Sequence, residues 1–493
     1  MRILLVYPEY PDTFWSFKHA LKFIFKKATD PPLGLLTVAA MLPAGWEKKL
    51  VDMNVNKLKD KDLKWADYVF ISGMSIQKES AKGIIARCNK LGTKVVAGGP
   101  IFTAGYEEFE GVDHFVLNEA EITLSPFLED LKNGVAKHIY SSDQFANLKE
   151  TPAPLLELVN MKKYASMNIQ YSRGCPYNCD FCDITLLYGH KPRTKDKDQV
   201  LTELESIYSR GWRGSVFFVD DNFIGNKGKL KSEILPAIAQ WMKQKKHPFT
   251  LFTQTSINLS DDEKLMELMI KAGFNLVFVG IETPHEESLT ECAKYHNKNR
   301  DMIACIKKMQ KSGFQVQGGF IVGFDSDPLS IFEKQIAFIQ ESGIVTAMVG
   351  LLNVLKGTKL HHRLEKENRL LKDVTGDNTD CTVNFVSKMN NDILIEGYKK
   401  IMSTIYSPSY YYARVRKFLR EYKPLNRGAF RFDFTHLAAF FRSTLSLGVF
   451  GKERFQYWKL LFWSLFRRPK LFPLAVTFAI YGFHFRKIVE KYV

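Results

Sequence analysis

Cysteines are scarce in this chain, long apolar runs are missing, and acidic residues thin out toward the carboxyl end. Each shortage excludes something. Seven cysteines in 493 residues cannot staple a small secreted scaffold, and Cys88, Cys292, Cys305 and Cys381 are scattered. The opening Met1-Arg2-Ile3-Leu4-Leu5-Val6-Tyr7 is cut short by Pro8 and Glu9, so it reads as a first strand rather than a secretory signal. A reducing, cytoplasmic setting is expected. In the carboxyl-terminal part the longest uncharged run, Leu471 to Phe485, has 15 residues and contains Pro473. A helix that spans a bilayer needs about 20 apolar residues, so none is expected there. The length suits two or three domains with ample core.

What is present is unevenly placed. Residues 385–493 hold 20 Lys and Arg against 6 Asp and Glu, a balance of +14 out of +16 for the whole chain. The 64 residues from Phe430 include 18 Phe, Trp and Tyr. Aromatics interleaved with Lys459, Arg467, Arg468, Lys470, Arg486 and Lys487 are expected to form an interfacial contact with a membrane, on its inner face. The competing expectation is a helical lid that packs those aromatics on the rest of the protein. Charge alone would also suit nucleic acid, but no recognised binding fold accompanies it, so nucleic acid is not expected.

The centre of the chain is Ser172-Arg173-Gly174-Cys175-Pro176-Tyr177-Asn178-Cys179-Asp180-Phe181-Cys182-Asp183, just after a strand-like run from Ser166 to Tyr171. Gly174, Pro176 and Asn178 keep this stretch from being a helix and let it curl round a small object. Three thiolates from one tight loop can hold three irons of a cubane cluster. With no fourth cysteine nearby, one iron would stay open to a ligand. Two other readings stand beside this one. Zinc would need a fourth ligand, with His190 the nearest candidate, and a disulfide would leave one thiol spare.

Residues 1–145 alternate short apolar strands (Ile3–Tyr7, Lys49–Asp52, Tyr68–Ser72, Lys94–Ala97, His114–Leu117) with helical patterns such as Gly34–Met41 and Lys78–Lys90. That alternation predicts an α/β, doubly wound parallel sheet, with ligands beyond the carboxyl ends of its strands. Ser75, Gly98, Gly99 and Glu119 fall at those ends. Residues 146–165, with Pro152 and Pro154, read as a linker. From 166 to 360 run six more strand–helix units, too few for a full eight-unit barrel, whose strand ends carry Asp220, Asp221, Ser256, Asn258 and Glu282. Residues 361–493 read as a helical, basic, aromatic-rich domain, with helices over Ile393–Tyr406 and Tyr410–Tyr422.

The Cys-x3-Cys-x2-Cys loop with Phe181 before its last cysteine resembles the signature of the radical S-adenosylmethionine (SAM) superfamily. Its resemblance implies a (β/α)6 barrel and a [4Fe–4S] cluster on Cys175, Cys179 and Cys182. Asp220 and Asp221 then stand where the family receives the SAM amino group. Ser256, Asn258 and Glu282 stand where it contacts ribose and methionine, and Gly319-Phe320-Ile321-Val322-Gly323 resembles the strand along adenine. The first domain is similar to the cobalamin-binding domain of one large subclass, through Pro31-Pro32-Leu33-Gly34-Leu35-Leu36, Gly98-Gly99-Pro100 and Asn118-Glu119-Ala120-Glu121. The Asp-x-His-x-x-Gly motif that supplies a lower histidine to cobalt elsewhere is absent.

Within that subclass, Val6-Tyr7-Pro8-Glu9, Thr13-Phe14-Trp15-Ser16-Phe17-Lys18 and Phe217-Phe218-Val219-Asp220-Asp221-Asn222-Phe223 resemble the subgroup that contains the hopanoid C-2 methylase. The resemblance runs through most of residues 1–425. It implies reductive cleavage of SAM to a 5′-deoxyadenosyl radical, with the electron from a carrier such as flavodoxin or ferredoxin, and cobalamin-dependent methylation of an unactivated carbon on a lipid substrate. A lipid cyclase or carbon–carbon coupling enzyme without methyl transfer is the alternative. A cobalamin- or redox-sensing protein without turnover is the third.

Overall fold

The computed structural model describes residues 1–371, 376–377, 380–424 and 434–492. Phe430 and Phe432 of the aromatic tail lie outside the described residues.

The amino-terminal part is a six-stranded, wholly parallel sheet: β1 (Arg2–Tyr7), β2 (Glu47–Asp52), β3 (Tyr68–Ser72), β4 (Lys94–Gly98), β5 (His114–Val116) and β6 (Ile139–Tyr140), in the order β2-β1-β3-β4-β5-β6. Both faces of the sheet are covered, so β1 is an unbroken apolar run: Leu4 and Val6 enter one core, Ile3 and Leu5 the other. All five expected strands are present. The sixth, β6, is too short to show an alternation, being two residues between Lys137-His138 and Ser141-Ser142.

The chain then crosses to a second sheet through short single turns. This crossing lies against the first unit: the Ala165 amide donates to the Ala28 carbonyl at 3.0 Å, and the Tyr164 hydroxyl donates to Asp52 at 2.9 Å. The strands that follow are β7 (Ser166–Ile169), β8 (Ser172–Arg173), β9 (Arg193–Thr194), β10 (Ser215–Phe218), β11 (Thr250–Thr255), β12 (Phe274–Glu282), β13 (Gln315–Val322) and β14 (Ala347–Leu351). β8 and β9 form a small antiparallel ribbon, and the other six make an open parallel arc in chain order. Helices fill the gaps between these strands. Gly273 (φ 105°) and Gly313 (φ 112°) end the helices Glu263–Ala272 and Met302–Ser312 in the left-handed region and turn the chain straight into the next strand. The fold is therefore the expected sequence of a doubly wound α/β domain, a (β/α)6 partial barrel and a helical carboxyl-terminal region.

That last region packs on both earlier parts. Its helices are Asn391–Ile405, Pro408–Glu421, Phe434–Ser443 (continued as a wider π-turn through Val449), Arg454–Arg467 and Phe472–Tyr492. Pro408 sits in the first turn after Ser407, and Pro473 in the first turn of the last helix, where the missing N–H costs nothing. Among the described residues no helix is long and apolar enough to cross a membrane. The last helix lies along the start of the chain: Phe485 stacks on Phe14 with ring centroids 4.3 Å apart, and His484 Nε2 meets the Phe14 carbonyl at 3.0 Å. The aromatic tail is thus split. Tyr457, Phe478 and Phe485 are buried as a lid would have them, while Phe450, Phe455 and Phe466 stay exposed.

Gly482 is where the last helix comes close to Tyr411, whose ring stands where a side-chain carbon at 482 would go. Gly482→Ala is expected to cost about 1–3 kcal/mol through overpacking, read as a lower midpoint in thermal unfolding. An unchanged midpoint would show that this helix is not clamped there.

Candidate functional site

The carboxyl ends of both sheets face one large cavity of about 1670 Å³. From the first sheet it is lined by Gly73, Ser75, Gly98, Gly99 and Asn118, from the barrel by Phe217, Phe252, Gln254, Phe278 and Gln317. Trp15, Phe440, Val476 and Tyr481 close the remaining side, so the tail acts as part of its wall. The two halves of the lining differ in kind. On the first-sheet side the backbone is bare: Gly99 has φ 89°, and a side chain at Gly98 would strike the Val116 carbonyl of the neighbouring strand. On the barrel side the wall is aromatic, with Phe217 and Phe252 stacked 4.7 Å apart and Trp15 edge-on to Phe278 at 5.4 Å.

The cysteine loop sits at the rim of the barrel. Gly174, with φ 93°, is packed under the Tyr188, Gly189 and Lys191 carbonyls, where no side chain fits. None of Cys175, Cys179 and Cys182 is in a disulfide, and the Cys182 amide donates to the Cys179 carbonyl at 3.1 Å, curling the loop. Burial pushes all three thiols up, Cys179 to about 11 and Cys182 to about 12, so without metal they are not reactive thiolates. His190, the nearest candidate for a fourth zinc ligand, is exposed.

Two carboxylates anchor this loop. Asp220 is fully buried and accepts the amides of Tyr171 and Ser172 and the Ser172 hydroxyl. It therefore holds the strand that leads into the loop and is not among the residues that line the cavity, unlike Asp221. Burial pushes its carboxyl up to about 7. Asp221 accepts the Gly174 amide at 3.0 Å and lines the cavity, and burial pushes it up to about 6. Ser256 and Asn258 are linked at 2.7 Å, and Asn258 donates to the Tyr177 hydroxyl at 2.6 Å, so both brace the cysteine loop from outside the cavity. Glu282 lines the cavity with φ 62°, at an irregularity in the β12–β13 pairing, and is held by the buried Lys294. Burial would push Lys294 down, but the Glu282 carboxylate more than offsets this and raises it. Gly319 lines the cavity, and a side chain there would come within 2.7 Å of Phe278; Gly323 (φ 112°) lies outside the cavity lining and donates its amide to Asp327.

Glu119 has a role that the sequence did not suggest. It is bonded by both Arg173 (3.1 Å) and Arg193 (2.8 and 2.9 Å), and Glu121 takes Arg173 at 2.8 Å. These four side chains, Glu119 buried and the other three partly so, tie the end of the first sheet to the two strands that carry the cysteine loop. Burial would raise Glu121, yet Arg173 holds its carboxyl below the usual range. Arg193 and Lys294 carry no spacing signal. Arg173 does, because it directly precedes Gly174-Cys175.

A parallel sheet with a bare-backbone crevice, set over an open barrel with a three-cysteine rim, defines a cobalamin-binding radical SAM protein. The comparisons agree. Residues 27–128 match the B12 binding domain, 169–339 the radical SAM superfamily, and 358–493 a domain of unknown function (DUF4070). The chain is 38% identical to an uncharacterized methyltransferase of Synechocystis sp. over 100% of this chain and 93% of that one. It is 35% identical to the hopanoid C-2 methylase of Rhodopseudomonas palustris over 83% of this chain and 77% of that one. In fold it resembles the cobalamin-dependent S-adenosylmethionine radical enzyme OxsB with aqua-cobalamin bound, at TM-score 0.63 and 15% identity, over 100% of this chain and 81% of that one. The chain belongs to the cobalamin-dependent radical SAM methylase family. It is a radical SAM enzyme whose cofactors are a [4Fe–4S] cluster, SAM and cobalamin.

Three outcomes follow from this geometry. Cys175→Ala, Cys179→Ala and Cys182→Ala are each expected to lose the cluster, measured as iron content, and with it 5′-deoxyadenosine production; full production by any of them would refute the ligand set. Glu119→Gln strips half the charge from the arginine clamp and should cost about 3–5 kcal/mol, with faster proteolysis of the crossing segment 146–165. Asp30, on the cavity wall beside Tyr7 and Tyr10, is pushed up to about 6 by burial. Folding therefore keeps its proton above the unfolded value, and stability falls as pH rises between the two and then levels. Asp30→Asn should flatten that slope, a difference of at most about 3 kcal/mol between about pH 4 and about pH 7 in denaturant titrations.

Proposed function

We propose that the enzyme methylates an unactivated carbon of a polycyclic lipid such as a hopanoid. One observation carries the reading: the barrel side of the cavity carries two aromatic pairs, Phe217 with Phe252 and Phe278 with Trp15, and the cavity lining as a whole is more apolar than polar, although Gln254, Asn275 and Gln317 share that side. A fused hydrocarbon offers no hydrogen bonds and gains about 25 cal/mol for each Å² of apolar surface it hides from water, so such a wall favours it over a polar substrate. The likeness to the hopanoid C-2 methylase, which extends over both domains, supports the same class.

In this reading Cys175, Cys179 and Cys182 would hold the cluster. Ser75, Gly98 and Gly99 would face cobalamin, where a bare backbone lets a broad, flat group approach. Asp221 and Glu282 would be the acceptors for the ammonium of SAM, and Gly319 would leave room for its adenine. When bound, these cofactors supply one-electron cleavage of a sulfonium and a transferable methyl group, chemistry that side chains lack. The chain supplies placement. Lys294 fixes the Glu282 carboxylate, Asp221 fixes the Gly174 amide beside the first cysteine, and the aromatic rings help to exclude water from the site. A reduced flavodoxin or ferredoxin would deliver the electron, to an enzyme resting on the cytoplasmic face of the membrane.

Holoenzyme with reductant, methyl-labelled SAM and a hopanoid should give a labelled, methylated lipid. Phe252→Ala should lower lipid turnover about 10- to 100-fold while SAM cleavage without lipid persists, since only the substrate wall is cut. Stoichiometric 5′-deoxyadenosine with a cyclised or coupled lipid and no labelled methyl group would replace methylation with the other radical reaction.

A further inference from the structure

Two consecutive helices of the carboxyl-terminal region leave large apolar side chains in solvent. On Arg454–Arg467, Phe455, Phe462 and Phe466 are 77%, 54% and 78% exposed, and their spacing of seven and four puts them on one stripe. Phe450, in the turn before, is 80% exposed. On the preceding helix and its π-turn, Phe441, Leu445 and Val449 recur every four residues and are also exposed. The two helices are in contact: Tyr457 bonds Ser443 at 2.9 Å, and Trp458 donates to the Gly448 carbonyl while stacking on Phe462. Burying these rings against the barrel would have been favourable, so a face this apolar calls for an occupant.

Charge selects the occupant. From 434 to 489 the only carboxylate is Glu453, and it is buried against Arg486. Lys452, Arg454, Lys459, Arg467 and Lys470 are exposed around the phenylalanines. Aromatic side chains ringed by cations with no exposed acid suit the boundary between acyl chains and anionic headgroups, whereas a protein partner would rarely present so uniform a charge. No helix among the described residues crosses a bilayer, so contact would be at the surface. Position adds a third argument. Leu437, one turn before Phe441, is 38% exposed and also lines the large cavity, with Phe440 beside it. The apolar stripe therefore runs from the surface to the wall of the active-site cavity.

We infer that this face, carried by Phe441, Phe450, Phe455, Phe462 and Phe466, seats the enzyme on an anionic membrane surface with the Leu437 edge of the cavity turned toward the lipid. The inference rests on the lipid reading above for its purpose, but not for its measurement. Full-length holoenzyme is mixed with phosphatidylcholine vesicles with or without phosphatidylglycerol and sedimented. Binding is expected to the anionic vesicles, weakened by high salt. Phe455→Ser/Phe462→Ser/Phe466→Ser should lower the partition by at least about tenfold, with iron content, circular dichroism and SAM cleavage unchanged. The same variant should methylate lipid presented in detergent as the parent does, and lipid embedded in vesicles more slowly. No binding of the parent protein to anionic vesicles overturns the inference. So does a parent dimer that the triple variant makes monomeric, since the face would then belong to a second copy. Vesicle binding that depends on these phenylalanines, without any methylated lipid, would leave this surface in place and remove the substrate reading instead.

Discussion

The joint between the two α/β units hangs on a largely buried clamp of two arginines and two glutamates. Arg173 lies one residue before Gly174, at the start of the cysteine loop, and Arg193 pairs with it across the small β8–β9 ribbon. Their partners, Glu119 and Glu121, open the helix after the fifth strand of the other domain. Four charges withdrawn from water are costly unless each is met, and here Glu119 receives both guanidinium groups and the Ala146 amide as well. The geometry is thus all or nothing. It fixes the distance between the bare-backbone crevice and the cluster rim, which is the dimension a two-cofactor reaction cannot let drift. A hydrophobic contact of equal area would hold the domains together without fixing register, and a looser hinge would let methyl donor and radical source part.

The cavity between the domains solves two recognition problems with different materials. The first sheet offers glycines and short side chains at its strand ends, a surface that would suit a broad cofactor. The barrel offers the rings of Phe217, Phe252 and Phe278 beside polar side chains such as Gln254 and Gln317. Glu282 marks the boundary between them. It is held in a left-handed backbone conformation that a non-glycine residue adopts only under constraint, with Lys294 on its carboxylate and Gln335 on its carbonyl. Gly280 leaves room for this pair, because a side chain there would come against the Glu282 carboxylate and the Lys294 ammonium where they now stand.

Much of this was legible in the sequence because it is local. The cysteine spacing lies within eight residues, the strands are apolar runs bounded by glycine and charge, and the glycines of the crevice sit at strand ends. What was not legible is what depends on distant pairing. Asp220 and Asp221 look alike in sequence, yet one faces inward to hold Ser172 and the other faces the cavity, because adjacent residues at a strand end point to opposite sides. Glu119 lines the cavity, and its pairing with Arg193, 74 residues on, is what the sequence could not show. Asn258, held by Ser256, likewise turns to Tyr177 of the loop, 81 residues before it.

The carboxyl-terminal tail shows why lid and membrane contact were hard to separate from composition alone. Both need aromatics, and both tolerate basic side chains. The fold uses alternate faces of the same helices for the two purposes: Tyr457, Leu460, Leu461 and Ser464 turn inward along Arg454–Arg467, while Phe455, Phe462 and Phe466 turn out. A helix apolar on nearly all sides has low amphipathic contrast, so periodicity could not assign the faces. The inward face of Arg454–Arg467 packs within the tail, and the cavity wall itself comes from the neighbouring helices through Phe440, Val476 and Tyr481. Helix Phe434–Ser443 lends Phe440 to the cavity and Phe441 to the surface, so for a substrate that resided in a bilayer it would be the element nearest the path of entry.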